Sequence, residues 1–134
     1  MKTIMRSLAF VLVALLLAPA ARADTRERMA ENLATFERFA GAPVDEIRRF
    51  RLQRWRTLGE RTVAVWISPK EIFLIDLRRP CRSLEYAKSI GIAARQRILD
   101  ARFDHITVEG ERCRIERIRP VDWQGLHEEA PKLD

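Results

Sequence analysis

Histidine, glycine and cysteine are all scarce in this chain, and each scarcity closes off a class of chemistry. With only His105, His127, Cys81 and Cys113 among 134 residues, a zinc-type ligand set has few donors and no Cys-x-x-Cys spacing to hold them. Five glycines form no Gly-rich phosphate loop. Ser68, Ser83 and Ser89 sit in no Gly-x-Ser-x-Gly elbow, so the nucleophilic hydrolase signature is missing too. His105 follows Asp104, but neighbouring strand residues point to opposite faces and cannot form a dyad directly. His127-Glu128-Glu129 lies in a polar tail, a poor place for preorganised ligands. No spacing singles out two carboxylates for glycoside hydrolysis. No catalytic residue, metal or cofactor is nominated, and a binding role is expected over an enzymatic one.

What is present begins with an export pattern. Lys2 and Arg6 form a basic start, Leu8 to Leu17 is an unbroken apolar run, and Ala21-Arg22-Ala23 is a small-x-small site. That is a secretory signal over residues 1–23, with cleavage before Asp24 and a periplasmic destination. Its apolar run is too short for a relaxed membrane span, so no stable span is expected after cleavage. Removing Lys2, Arg6 and Arg22 leaves 22 basic and 19 acidic residues, a net charge of +3 against +6 for the whole chain. A global field for nucleic acid is not implied, and nucleic acid is not an expected partner. An exported chain with two cysteines is expected to pair them as Cys81–Cys113.

The remaining length suits one domain, 24–126, followed by a flexible polar tail, 127–134. Asp24 to Ala40 reads as an amphipathic helix with Met29, Leu33, Phe36 and Ala40 on one stripe, ended at Gly41 and Pro43. Val44 to Arg56 reads as a strand in which Phe50 and Leu52 alternate with Arg49 and Arg51. Thr62–Ile67 and Ile72–Leu77 form the clearest hairpin; both its faces are apolar, so it should be central and covered on both sides. Asp76 interrupts one of those faces and, if buried, needs a partner, with an arginine expected. Arg82 to Ser89 reads as a short helix ended at Gly91, and Ile92 to Asp100 fits strand or loop. Arg102–Val108 and Arg112–Ile118 form a second hairpin around Glu109-Gly110, with a bulge or an end near Arg117. Asp122 can cap a final turn. The expected fold is α+β: about five antiparallel strands, an N-terminal helix, and a short helix between strands three and four. An OB-like partial barrel has that order of elements, an analogy of topology that carries no function.

Five arginines crowd one stretch: Arg48, Arg49, Arg51, Arg54 and Arg56. Exposed charge is the default for arginine, yet the guanidinium fork also matches carboxylate and phosphate in two-point contact. These five are the ligand-binding residues nominated by sequence.

Trp55-x-x-Leu58-Gly59, Leu77-x-x-x-Cys81-x-x-Leu84, Phe103-Asp104 and Cys113-x-Ile115-x-x-Ile118-x-Pro120-x-Asp122 together resemble a family of small exported proteobacterial proteins of unknown function. The likeness covers about residues 43–126. It implies export and a disulfide between the two cysteines, and it implies no reaction and no ligand. Many members look lipid-anchored, whereas this chain lacks the cysteine needed after its apolar run. The resulting expectation is a non-catalytic periplasmic binding or interaction module, its partner an anionic envelope component or an acidic protein. The alternative is a small hydrolase using Asp76, Asp104 or His105.

Overall fold

The computed structural model describes residues 23–134. Apart from Ala23, the leader expected over 1–23 lies outside the described residues. Helix α1 (residues 23–38) opens the fold, and the chain then forms eight strands. These are β1 (Glu46–Arg48), β2 (Arg54–Thr57), β3 (Thr62–Ser68), β4 (Glu71–Leu77), β5 (Ile90–Ile92), β6 (Ile98–Asp100), β7 (His105–Val108) and β8 (Glu111–Val121). Helix α2 (Trp123–Glu129) follows. Six strands build one curled antiparallel sheet, a half-barrel, in the order β2-β3-β4-β8-β7-β5, while β1 and β6 pair separately. The class is α+β as expected, with more strands than the five read from the sequence.

The β3–β4 hairpin is the centre because both of its faces are apolar. Val63, Val65, Ile75 and Leu77 enter one core with Ile106, Val108, Ile115 and Ile118. Ala64, Trp66, Ile72 and Leu74 enter a second core on the other face, with Phe36 of α1 and Leu126 of α2. Phe36 meets the Trp66 ring edge-on at 6.1 Å, a geometry the ring quadrupoles favour. The two faces are thus covered by different things. The β1–β6 pair and its loops close the first core through Ile47, Phe50 and Leu99, and the helices close the second.

Strand β8 ties the halves of the sheet together. Its first residues pair with β7 (His105↔Arg114 to Val108↔Glu111) and the rest with β4 (Leu77↔Ile115 to Ile72↔Val121). The register slips between Asp76 and Leu77, which places the expected bulge at Glu116. That extra residue lets Ile115 and Ile118 both face the first core. Beyond α1 the chain bridges back to β8, with Ala40 opposite Val121 and Val44 opposite Ile118. Glu109 and Gly110, at φ 47° and 83°, make the left-handed turn that suits the right-handed twist of β7 and β8.

Three expectations are corrected. The strand expected over 44–56 is broken into β1 and β2: Arg49 takes φ 56°, and the Phe50 amide donates to the Arg97 carbonyl so that Phe50 can enter the first core. The alternation still reports burial, with Phe50 inside and Arg49 and Arg51 outside, although the backbone there is not a strand. The helix expected over 82–89 shrinks to a single 3-10 turn, Leu84–Tyr86, which ends where Ala87 turns extended. Ile90–Ile92 becomes β5 because β7 offers an open edge to pair with, and such pairing overrides a weak local helix preference. Finally, residues 127–134, read as a flexible tail, continue α2 and fold back. Ala130 and Leu133 pack on the second core. The cap at Asp122 is as expected, its side chain accepting from the Gly125 amide.

Candidate anion-binding site

Alternation along β8 sends Cys113, Ile115 and Ile118 inward and leaves four arginines, Arg112, Arg114, Arg117 and Arg119, on the other side. The two ends of this ladder have opposite fates. Arg117 lies directly across from Asp76 on β4 and donates from Nε to its Oδ2 at 2.7 Å. Arg119 donates from Nη2 to Asp76 Oδ1 at 3.1 Å and to Glu37 of α1 at 3.3 Å. Its Nε stands 2.9 Å from Asp76 Oδ2, close enough for ion pairing but off the hydrogen-bond direction. Thr62 Oγ1 donates a further bond to Asp76 at 2.8 Å. Asp76 is 6% exposed, so the arginine partner required by its burial is present twice over.

Arg112 and Arg114 have no such answer. Among the described residues, neither one, nor Arg78 or Arg79, has a carboxylate at ion-pairing distance. These four arginines, with Pro80, Glu111 and Cys113, line one cavity of about 390 Å³. Arg78 and Arg79 leave the end of β4 and Arg112 and Arg114 come from β8. The Arg78 amide donates to the Arg114 carbonyl at 3.0 Å, and the Cys81–Cys113 disulfide ties the two walls together, with Cα atoms 6.0 Å apart. Arg112 donates from Nε to His105 Nε2 at 3.1 Å, which steadies one guanidinium without supplying a carboxylate to offset its charge. Four cations against the single carboxylate of Glu111 give the cavity a positive lining, and guanidinium forks match carboxylate or phosphate oxygens in general.

The arginines nominated by sequence do not converge. Arg48 pairs with Glu46 at 2.8 Å, Arg49 and Arg51 stand exposed in the loop, and Arg54 lies 4.3 Å over the Trp66 ring. Arg56 donates to the Lys132 carbonyl at 3.5 Å; burial, and then the like charge of Arg54, disfavours its protonated form. The three groups of the hydrolase alternative are each engaged separately. Asp76 is consumed by its arginines, Asp104 accepts from the Asp100 amide at 2.7 Å, and His105 accepts from Arg112. None of them lines the cavities at Arg26–Glu85, Arg78–Arg114 or Gln53–Asp134. Cys81, Glu111 and Cys113 bring three ligand atoms within 4.8 Å of one another, but both sulfurs are spent in the disulfide, and a metal needs them as thiolates.

A family model described as a family of unknown function (DUF6491) matches residues 1–133. The chain belongs to that family. The match includes both cavity walls, and it assigns no activity. No curated protein and no solved structure matches the chain.

A second polar cluster in this DUF6491 protein was invisible in the sequence. Asp134 accepts from Trp123 Nε1 at 2.7 Å and from Trp66 Nε1 at 3.3 Å. Its Oδ2 is 2.9 Å from His127 Nδ1, and Arg54 stands 3.7 Å away. Burial pushes the Asp134 carboxyl up, but the bonds from Trp66, Trp123 and His127 together outweigh it and hold the group below its ordinary value. A depressed folded value stabilises the fold above the unfolded pKa, about 3.9, and that contribution is lost as pH falls through the folded value. The stability difference between the wild type and Asp134→Asn should therefore shrink as pH falls below about 4. Urea unfolding across that range measures it, and a difference that widened on acidification would contradict the assignment.

Proposed function

We propose that this DUF6491 protein is a non-catalytic binding module of the cell envelope that holds an anionic ligand in the cavity between Arg78-Arg79 and Arg112–Arg114. The observation that carries the reading is the unneutralised half of the β8 arginine ladder. Where α1 and β4 face it, carboxylates answer every guanidinium; beyond them, at the mouth of a cavity, none does. A volume of about 390 Å³ lies at the small end of the range of ligand sites, roughly 300–1,000 Å³. The leader pattern of Lys2, Arg6, Leu8–Leu17 and Ala21-x-Ala23 supports export, and a disulfide suits an oxidising compartment. Among the described residues, no helix is long and apolar enough to cross a membrane. Anionic polysaccharide, a lipid headgroup or an acidic protein would each supply the required oxygens.

Thermal shift with inorganic phosphate, a sugar phosphate, a sulfated polysaccharide and an acidic peptide tests the reading. At least one probe should stabilise the oxidised protein at low salt, and the effect should fade as salt is raised. Arg112→Ser with Arg114→Ser should weaken that probe at least about tenfold, since each charge-assisted bond is worth roughly 1.5–3 kcal/mol. Arg49→Ser with Arg51→Ser should leave it unchanged. The reading fails if no anion stabilises the protein, or if the loop pair matters and the cavity pair does not.

A further inference from the structure

The Asp134 cluster is built like a receptor, and one of its own residues occupies it. Donors arrive from three elements: Arg54 from β2, Trp66 from β3, and Trp123 and His127 from α2. The indole of Trp66 is 2% exposed, and Trp123 is fixed by His127 stacked on its face at 4.9 Å with the Lys70 ammonium 5.1 Å from its ring. A single hydrogen bond would secure a chain segment. Two indoles, an imidazole and a guanidinium around one carboxylate are far more than that, and they form a nearly complete shell for any carboxylate.

Beside this shell is open space. A cavity of about 340 Å³ is lined by Gln53, Arg54, Trp66, Ser68, Pro69 and Asp134 itself, so Asp134 forms one wall between the donors and solvent. Apart from the contacts of the Asp134 carboxylate within the shell, its tether is slight. Segment 131–134 is held by the Leu133 amide on the Ala130 carbonyl at 2.9 Å, by Arg56 on the Lys132 carbonyl at 3.5 Å, and by half-buried Leu133. Segments with so few anchors open at low cost compared with the core.

We infer that the Arg54–Trp66–Trp123–His127 box is a carboxylate receptor which Asp134 fills in cis, and that an acidic peptide segment docks there when Asp134 is displaced. The peptide would place one carboxylate among the four donors and its neighbouring residue in the adjoining cavity, where Gln53 and Ser68 offer hydrogen bonds. Since the cis carboxylate competes at the high effective concentration of a tethered group, the wild type should bind such a peptide weakly and a protein lacking that carboxylate should bind it well. This inference is independent of the arginine cavity and stands or falls separately.

The experiment uses the full chain carrying Asp134→Ala, followed by tryptophan fluorescence and thermal unfolding. Acetate should raise the melting temperature of the variant in a saturable way, whereas acetamide, of the same shape without the charge, should not. The peptide acetyl-Pro-Lys-Leu-Asp-amide should bind the variant at least tenfold more tightly than the wild type, and adding Arg54→Gln should reduce that affinity. Asp134→Ser, whose side chain is too short to fill the shell, provides the same comparison if the alanine variant does not fold. Equal responses to acetate and acetamide, or equal peptide affinity for variant and wild type, would overturn the receptor and leave Asp134 a structural clasp.

Discussion

Asp76→Ala should destabilise the protein by about 3–5 kcal/mol, the usual cost of stripping one partner from a buried ion pair. The carboxylate accepts from Thr62, Arg117 and Arg119 at once, and its loss strands those donors unequally. The Arg117 side chain is 48% exposed and can turn to water, although its guanidinium is held above its ordinary pKa first of all by the bond to Asp76. The Arg119 side chain is only 11% exposed, and it would keep Glu37 alone at 3.3 Å. Most of the penalty therefore belongs to Arg119. Urea unfolding of Asp76→Ala, Arg119→Met and the double variant separates the terms: the double variant should be more stable than Asp76→Ala alone. A cost under about 1 kcal/mol would place Asp76 in the class of exposed pairs instead.

Removing the disulfide should be the other large loss. Cys81 and Cys113 are 32 residues apart, and the chain-entropy estimate for closing such a loop is about 3–4 kcal/mol. Reductant should lower the denaturant midpoint of the wild type to that of Cys81→Ser/Cys113→Ser, and should leave the double-serine variant unmoved. Because the bond joins the wall carrying Arg78 and Arg79 to the wall carrying Arg112 and Arg114, anion binding should weaken in the same variant under conditions where it is still folded. Undiminished binding after reduction would show that the Arg78–Arg114 backbone bond and the β4–β8 pairing suffice to shape the cavity.

The central hairpin was legible in the sequence because its signal is local: two apolar runs, a Ser-Pro-Lys-Glu turn, and a length no helix would need. The partner for Asp76 was legible by a different logic, since a carboxylate on an apolar face must be answered. The arginines nominated by sequence stand in separate places in the fold for a physical reason. Crowding along the chain is a poor guide to crowding in space, and Arg48–Arg56 fan out around a kink at Arg49 while each finds a separate setting. The four arginines that line one cavity without an ion-paired carboxylate come from two distant segments. A usable signal existed, because pairing Cys81 with Cys113 already brings Arg78-Arg79 beside Arg112 and Arg114. The Asp134 shell had no comparable signal: its donors belong to three elements whose mutual placement only the packed second core determines.

The position of β8 also governs the order in which this fold can assemble. As the chain lengthens from its start, β3 and β4 are available early, with β2 covering one side of β3 while the outer edge of β4 stays open. Only after residue 121 is in place can that edge be filled, and until then the hairpin presents unpaired backbone flanked by Ile72, Leu74 and Ile75. Such an edge invites pairing with another chain. A truncation before β8 should thus yield no smaller stable domain but an adhesive fragment, which makes this late strand the safeguard of the protein against self-association.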